Sequence, residues 1–498
     1  MLEIKNLTIK MGDRCLVDNL SFSLSNKDKM AVIGEEGNGK STLLKAILGK
    51  CDYALVEGSI KVVGKIGYLE QSLDSTYGLT RVYDYLFIDD NSYYEKVSDL
   101  YHLLEIFHLQ ECILEQEIGF LSGGEKVKIN LLKMLLDESD ILLLDEPTND
   151  LDIETLEWLE DFINKTNKPI LYVSHDEVLL SKTATMILHL EQINKKTKSR
   201  CTLLKTDYDS YIEQRLRSLD KQRQMARNEA KEFDKQQDKL NRIMNKVAYQ
   251  QNTISRKNPH GAKVLKKKMH SLKAQERRLA NSSLTEMPDV EEGIHFFFED
   301  VFLPKHRKVL ELFLDELKIE GRVLSKNIRL NIYGNEHICI VGKNGVGKST
   351  LLKKIYHILK DRKDVNVGYM PQIYEDVLKQ NDSAIDFLVP EKNQDKITVA
   401  RQYLGNMKFT KDEMVGKIKD LSNGTKAKLF LIKLILEKYD VLILDEPTRN
   451  VSPLSNPIIR KVLKEYNGAI ISVSHDRKYI DEVASKVYVL TKEGLYER

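Results

Sequence analysis

Two apolar runs end in paired carboxylates. Ile141-Leu142-Leu143-Leu144 leads into Asp145-Glu146, and Val441-Leu442-Ile443-Leu444 leads into Asp445-Glu446. Continuous apolar runs of this length predict parallel strands buried on both faces. The carboxylates then fall at the C-terminal edge of each strand, where open α/β sheets bind their ligands. Residues 1–10 alternate between apolar and polar, which predicts a half-exposed strand. Further strands are expected over 29–33, 169–173 and 338–341. The stretch 72–120 reads as a compact helical subdomain, and a helix is expected from Ile153 behind the Asn149–Asp152 caps.

The middle of the chain changes period. Apolar side chains recur at Ile212, Leu216, Leu219, Ala226, Ala230, Phe233, Leu240, Met244 and Val247, with Arg223 and Gln237 as exceptions. Intervals of three and four predict a coiled-coil seam, and a helix over 209–250 would run roughly 60 Å at 1.5 Å per residue. Asn258-Pro259-His260-Gly261 is expected to break it. A second helix follows, with Leu265, Met269, Leu272 and Leu279 on one face. The pattern predicts an antiparallel helical hairpin with its tip near 248–262. Residues 212–280 carry 19 Lys and Arg against 7 Asp and Glu, and no acidic residue occurs from Lys239 to Lys273. The whole chain carries a formal charge of +2, so the remainder is acidic. A basic hairpin on an acidic protein suits a nucleic-acid backbone, bound through counterion release.

Short motifs supply the chemistry. Gly34-Glu-Glu-Gly37-Asn-Gly39-Lys40-Ser41-Thr42 follows the 29–33 strand, and Gly342-Lys-Asn-Gly345-Val-Gly347-Lys348-Ser349-Thr350 follows the 338–341 strand. Both are P-loops, whose backbone N–H groups curl around phosphates. Lys40 and Lys348 would reach the β- and γ-phosphates, and the Ser41 and Ser349 hydroxyls would ligate Mg²⁺. Glu35 and Glu36 depart from a good phosphate cradle and are expected to face solvent. Gln71 and Gln372, at strand ends, are placed to touch Mg²⁺ or the attacking water. Ser122-Gly123-Gly124 and Ser422-Asn423-Gly424 open helices and offer N–H groups to an anion. His175 and His475 end the last buried strands. The serine, paired-carboxylate and histidine motifs each recur 300 residues on, and the P-loop recurs in the same order, so the chain is a tandem repeat of one module.

Composition narrows the class. At 498 residues the chain has room for about three domains. Cys15, Cys51, Cys112, Cys201 and Cys339 form no CxxC pair, which argues against zinc or a disulfide framework. No apolar run approaches the roughly 18 residues needed to span a bilayer. The N-terminus lacks the features of a signal peptide.

Four motifs in fixed order, twice, with a charged helical linker between the modules, resemble the ABC-F family of ATP-binding cassette proteins. The resemblance spans essentially the whole chain. It implies an α/β fold of two P-loop cassettes (1–204 and 293–498) joined by an antiparallel coiled-coil hairpin (205–292). It implies ATP and Mg²⁺, with Asp145 and Asp445 behind the metal's waters. Glu146 and Glu446 would polarise the attacking water, and His175 and His475 would hold the γ-phosphate. Head-to-tail stacking would join Lys40 to Ser422 in site one and Lys348 to Ser122 in site two.

The family's partner is the bacterial 70S ribosome. By resemblance the protein binds at the E site, and its linker reaches the P-site tRNA and the peptidyl-transferase centre. Tyr249, Asn252, Ser255, Arg256, Lys257, Lys263, Lys266 and Lys267 are the candidate contacts with rRNA or tRNA. The 72–120 segment is too short for an extra arm, which is similar to the antibiotic-resistance, ribosome-protecting subgroup. A cytoplasmic monomer without a membrane partner is expected. The rival readings are a general translation factor, the ATPase of a membrane transporter, and a DNA-repair ATPase. Some positions depart from the family pattern. Asn423 and Thr425 alter the second signature, and Ser452 stands where the first module has Asp152; these departures bear on turnover at site one. Met11 and Ile319 occupy the positions where the family stacks the adenine on an aromatic ring.

Overall fold

The computed structural model describes the chain apart from residues 71–74, 88–92, 150, 194–197, 254–258, 281–302 and 320. It forms two compact units, one gathering Met1–Tyr208 with Glu291–Arg498, the other Asp209–Val290.

The first cassette runs β1 (Leu2–Met11), β2 (Arg14–Leu24), β3 (Lys29–Ile33), α1 (Lys40–Ile47), β4 (Leu55–Val62), β5 (Ile66–Leu69), α2 (Val82–Leu86), α3 (Tyr93–Ile106), α4 (Gly123–Leu136), β6 (Ile141–Asp145), α5 (Ile153–Lys165), β7 (Ile170–Val173), α6 (Glu177–Thr183), β8 (Met186–Ile193) and β9 (Lys198–Leu204). Strands β2-β1-β4 make an antiparallel sheet, and β5-β6-β7-β3-β8-β9 make a six-stranded sheet that is parallel except at β9.

The linker consists of α7 (Tyr208–Thr253) and α8 (Pro259–Ala280). The second cassette continues with β10 (Lys308–Ile319), β11 (Arg322–Tyr333), β12 (His337–Val341), α9 (Lys348–Lys360), β13 (Val367–Met370), α10 (Ala384–Leu388), α11 (Gln394–Asn406), α12 (Lys411–Val415), α13 (Asn423–Leu436), β14 (Val441–Asp445), α14 (Asn456–Lys464), β15 (Ala469–Val473), α15 (Arg477–Val483), β16 (Lys486–Leu490) and β17 (Leu495–Glu497). Its six-stranded sheet, β13-β14-β15-β12-β16-β17, repeats the order of the first.

The apolar runs are continuous because both faces of each central sheet are covered. In β14, Val441 and Ile443 join a cluster with Leu351 and Leu352 of α9. Leu442 and Leu444, pointing the other way, join Ala427 and Phe430 of α13. Parallel strands sandwiched in this way bury every side chain, and β3, β6, β7, β12, β14 and β15 are buried throughout. The P-loops lie between β3 and α1 and between β12 and α9, at the C-terminal edge of these sheets.

In the linker unit, Leu240, Val247 and Leu272 form a small core, packed by Ile243, Met244, Leu265 and Met269. The seam is less regular than its spacing predicts, since Leu216 is 57% exposed. The expected break also shifts. Pro259 opens α8, and His260 and Gly261 lie inside that helix. Proline suits a helix's first turn, where its missing N–H has no partner to lose.

Candidate active site

Each P-loop lysine begins a helix whose N-cap is a left-handed glycine, Gly39 (φ 89°) or Gly347 (φ 101°). A side chain at either position would be strained. Lys40 Nζ donates to the carbonyls of Gly34 (2.9 Å) and Glu35 (3.1 Å). Lys348 Nζ donates to Gly342 (2.8 Å) and Lys343 (3.0 Å) and to Asn344 Oδ1 (3.3 Å). Burial pushes both ammonium pKa values down, against the pull of the carboxylates around them. Gly37, Thr42, Gly345 and Thr350 lie in the same loops and first turns.

The paired carboxylates stand at the ends of β6 and β14, opposite the lysines. Ser41 Oγ donates to Asp145 Oδ1 at 3.0 Å, and Tyr68 reaches Asp145 Oδ2 at 3.3 Å. Among the described residues neither buried oxygen of Asp445 meets a donor in good hydrogen-bond geometry, although the Ser349 hydroxyl is near enough to favour its charged form. Burial raises the pKa of both aspartates, with the Ser41 and Ser349 hydroxyls opposing. Hard oxygen donors beside the phosphate cradle, one pair without a well-aligned donor, fit Mg²⁺, which keeps most of its waters. Gln372 lines the second site. Gln71 lies outside the described residues.

Glu146 and Glu446 share a rare backbone, with φ of 50° and 54°. Left-handed, non-glycine residues held by the surrounding fold cluster at functional sites. In each, the N–H donates to a strand carbonyl, Val173 at 3.0 Å or Val473 at 2.9 Å. Their surroundings then diverge. Glu146 lies 3.1 Å from His175 Nε2 and accepts from Asn149 Nδ2 at 2.8 Å. Burial works to raise its pKa, but His175, Lys40 and Asn149 outweigh that and hold it down at about 2. Glu446 accepts from the His475 backbone N–H at 3.2 Å, while His475 Nε2 stays 3.8 Å away. Burial and the adjacent Asp445 push its carboxyl up to about 8. Burial and Lys348 push the His475 imidazole down to about 4.

The two signatures also differ. Ser122 caps α4 in a reciprocal box, in which its hydroxyl accepts from the Glu125 N–H and Glu125 accepts from the Ser122 N–H. Ser422 caps α13 through the Thr425 N–H alone.

Across the cassettes, a cavity of about 470 Å³ is lined by Gly345, Lys348, Gln372, Glu446 and His475 of the second and by Gly123, Asn149 and His175 of the first. That volume lies in the range of small-molecule sites. The facing contact, where Glu35 and Glu36 meet Ser422, Gly424 and Thr425, holds a cavity of only about 20 Å³. Here the expectation that Glu35 and Glu36 face solvent is overturned. Glu36 accepts a hydrogen bond from the Gly424 N–H, and Glu35 lies 3.8 Å from Lys408. The partner is 388 residues away in sequence, so local spacing gives no sign of it.

A further feature escapes the motif reading. Arg460, almost fully buried, donates through both Nη atoms to Glu177, and Arg477 pairs with Glu160 and Asp176. The available signal is opposite charge at positions 300 apart, Glu160 against Arg460 and Glu177 against Arg477.

Of the linker candidates, Tyr249 is 71% exposed, and Asn252, Lys263, Lys266 and Lys267 are exposed. Ser255, Arg256 and Lys257 lie outside the described residues. Met11 and Ile319 are exposed at strand ends. Ser452 does not reproduce Asp152. Asp152 caps α5 through Thr155, whereas Ser452 is buried and α14 starts only at Asn456.

Twin P-loops, each with a carboxylate-bearing strand and a helix-capping serine, define a nucleotide-hydrolysing double cassette. A family model described as ABC transporter matches residues 17–149 and 325–449. The chain belongs to this family of ATP-binding cassette proteins and is a tandem-cassette ATPase. The putative ATP-binding protein YdiF of Bacillus subtilis is 29% identical, over 100% of this chain and 81% of its own length. The ribosome protection protein VmlR of Bacillus subtilis is 29% identical, over 99% and 87%. Among solved structures, an archaeal ribosome recycling factor in complex with an archaeal ribosomal stalk protein shares the fold. Its TM-score is 0.59 at 17% identity, covering 96% of this chain and 87% of that one. Among the described residues no helix is long and apolar enough to cross a membrane.

Proposed function

We propose that ATP binding and hydrolysis in this protein govern its residence on the bacterial ribosome. In this reading the protein occupies the E site as a cytoplasmic monomer. Its hairpin reaches the P-site tRNA and the peptidyl-transferase centre and protects the ribosome from bound antibiotics. The observation that carries the reading is the basic hairpin, whose stretch from Lys239 to Lys273 is free of acidic residues and exposes Lys263, Lys266 and Lys267. Polyphosphate is its natural counterpart. The similarity to a protein named for ribosome protection supports the same reading.

At each composite site the P-loop lysine and amides bind the phosphates, and the opposed signature serine completes the contact. Ser41 with Asp145, and Ser349 with Asp445, would hold Mg²⁺, which offsets phosphate charge when bound. Glu146 and Glu446 orient the attacking water, with His175 and His475 beside them at the γ-phosphate. Positioning and charge stabilisation carry most of such a phosphoryl transfer. Because the γ-phosphate links surfaces from two cassettes, its presence favours closure and its loss favours release.

The test is sedimentation of the Glu146→Gln/Glu446→Gln protein with 70S ribosomes, with and without ATP. Co-sedimentation that requires ATP is expected, followed by drug displacement in a challenge assay. Absence of binding in both states would overturn the ribosomal reading. Binding without drug displacement would leave a general translation factor.

A further inference from the structure

The two composite sites carry the same parts in exchanged places. At site two the P-loop has the neutral Asn344, and the opposed signature carries its own carboxylate, Glu125, folded back on Ser122. At site one the signature has the neutral Thr425, and the carboxylate comes from the opposed P-loop as Glu36. Each junction thus holds one carboxylate on a signature helix, but only at site one does it cross between the cassettes. There it accepts from the Gly424 N–H, in the first turn of α13, where free amides and the helix dipole attract an anion. The fit is tight, since a Cβ on Gly424 would stand 3.2 Å from Glu36 Oε2 and 2.6 Å from the Asn450 carbonyl. A neighbouring ion pair, Glu35 with Lys408 at 3.8 Å, ties the same loop to the same cassette. The space left is about 20 Å³, room for one water, against about 470 Å³ at site two.

We propose that Glu36 is a built-in stand-in for the γ-phosphate, which holds site one closed without nucleotide and sets the order of filling. Site two takes ATP first. Site one takes ATP only as the Glu36 carboxylate leaves the Gly424 amide, because two anions cannot share that donor. The proposal rests on the pairing of Lys40 with Ser422 in one ATP site and is independent of the ribosomal reading.

The full-length Lys348→Ala/Glu146→Gln protein isolates site one and blocks its turnover. ATP with Mg²⁺ is titrated into it by calorimetry, before and after adding Glu36→Gln or Glu36→Asn. Losing a charge-assisted competitor is expected to tighten binding on the order of tenfold. Adding Thr425→Glu to Glu36→Asn, which recreates the site-two arrangement, should keep the tighter binding. Hydrogen exchange gives a second readout. Without nucleotide, the peptide containing Gly424 should exchange faster in Glu36→Gln than in the parent, and ATP should restore its protection. Unchanged affinity with unchanged exchange overturns the role of Glu36. Undiminished binding after Lys40→Ala would instead overturn the assignment of site one itself.

Discussion

Glu146 and Glu446 occupy equivalent backbone positions and sit in opposite electrostatic surroundings, which gives a test at the level of single residues. Glu446 ionises at about 8 in the fold, against an ordinary 4.5. Between those values the unfolded chain has released a proton that the fold keeps, so stability falls as pH rises through the window. Gln cannot ionise, so without nucleotide and with EDTA present Glu446→Gln should melt higher than the parent at pH 7. The gain should vanish as pH approaches 4.5. Glu146 ionises at about 2 in the fold. Its carboxylate therefore contributes stability that is complete above 4.5 and is lost as pH falls through 2. Glu146→Gln should melt lower at pH 7. Each effect should be of order 1 kcal/mol or more in scanning calorimetry, and shifts of the same sign in both variants would refute the contrast. The position of both glutamates at strand ends was legible in the sequence, because an apolar run closed by paired carboxylates is a local pattern. The different contacts of His175 and His475 with these glutamates were not legible, because they depend on ring placement and on the added Asn149 hydrogen bond to Glu146, which the shared motif does not specify.

Among the elements, strands and P-loop helices were legible from apolar runs and glycine spacing, since each is set by a few adjacent residues. The pairing of α5 and α6 with α14 and α15 was not, because it depends on charges far apart in the chain. Arg460 meets Glu177 and Arg477 meets Glu160, so each pair crosses between the repeats. Two copies of the first cassette paired in the same way would set Glu160 against Glu177, and two copies of the second would set Arg460 against Arg477. Like charges in a buried contact discriminate strongly against the wrong partner. Arg460→Glu alone should destabilise the cassette pair by about 3–5 kcal/mol, the usual cost of a broken buried pair. Combining it with Glu177→Arg should recover only part of that loss, because Glu482 and Lys478, which pair with Arg460 and Glu177 in the parent, then face like charges. Urea unfolding of the parent, each single variant and the double variant gives the coupling directly. Additive losses would mean that the pair is not a unit.

On the scale of the whole molecule, a formal charge of +2 conceals a basic segment over 212–280 in an otherwise acidic chain. On the proposed ribosomal reading, RNA repels the acidic remainder of the chain and attracts the basic segment, so the long-range field favours encounters through that segment. Lys263, Lys266 and Lys267 are all exposed within one stretch of α8. If each meets a phosphate, replacing all three by Gln removes about three counterion-release contacts. The dependence of ribosome binding on salt should then flatten by roughly 2 to 3 in the slope of log K against log salt. The measurement is co-sedimentation of the Glu146→Gln/Glu446→Gln protein with 70S ribosomes in ATP over a series of KCl concentrations. It is repeated with the triple substitution, with circular dichroism to show that α7 and α8 persist. A weaker complex with a flatter slope is the expected result. A weaker complex with an unchanged slope would mean that these lysines act through protein contacts or local structure, and the hairpin would then be a protein-docking coil.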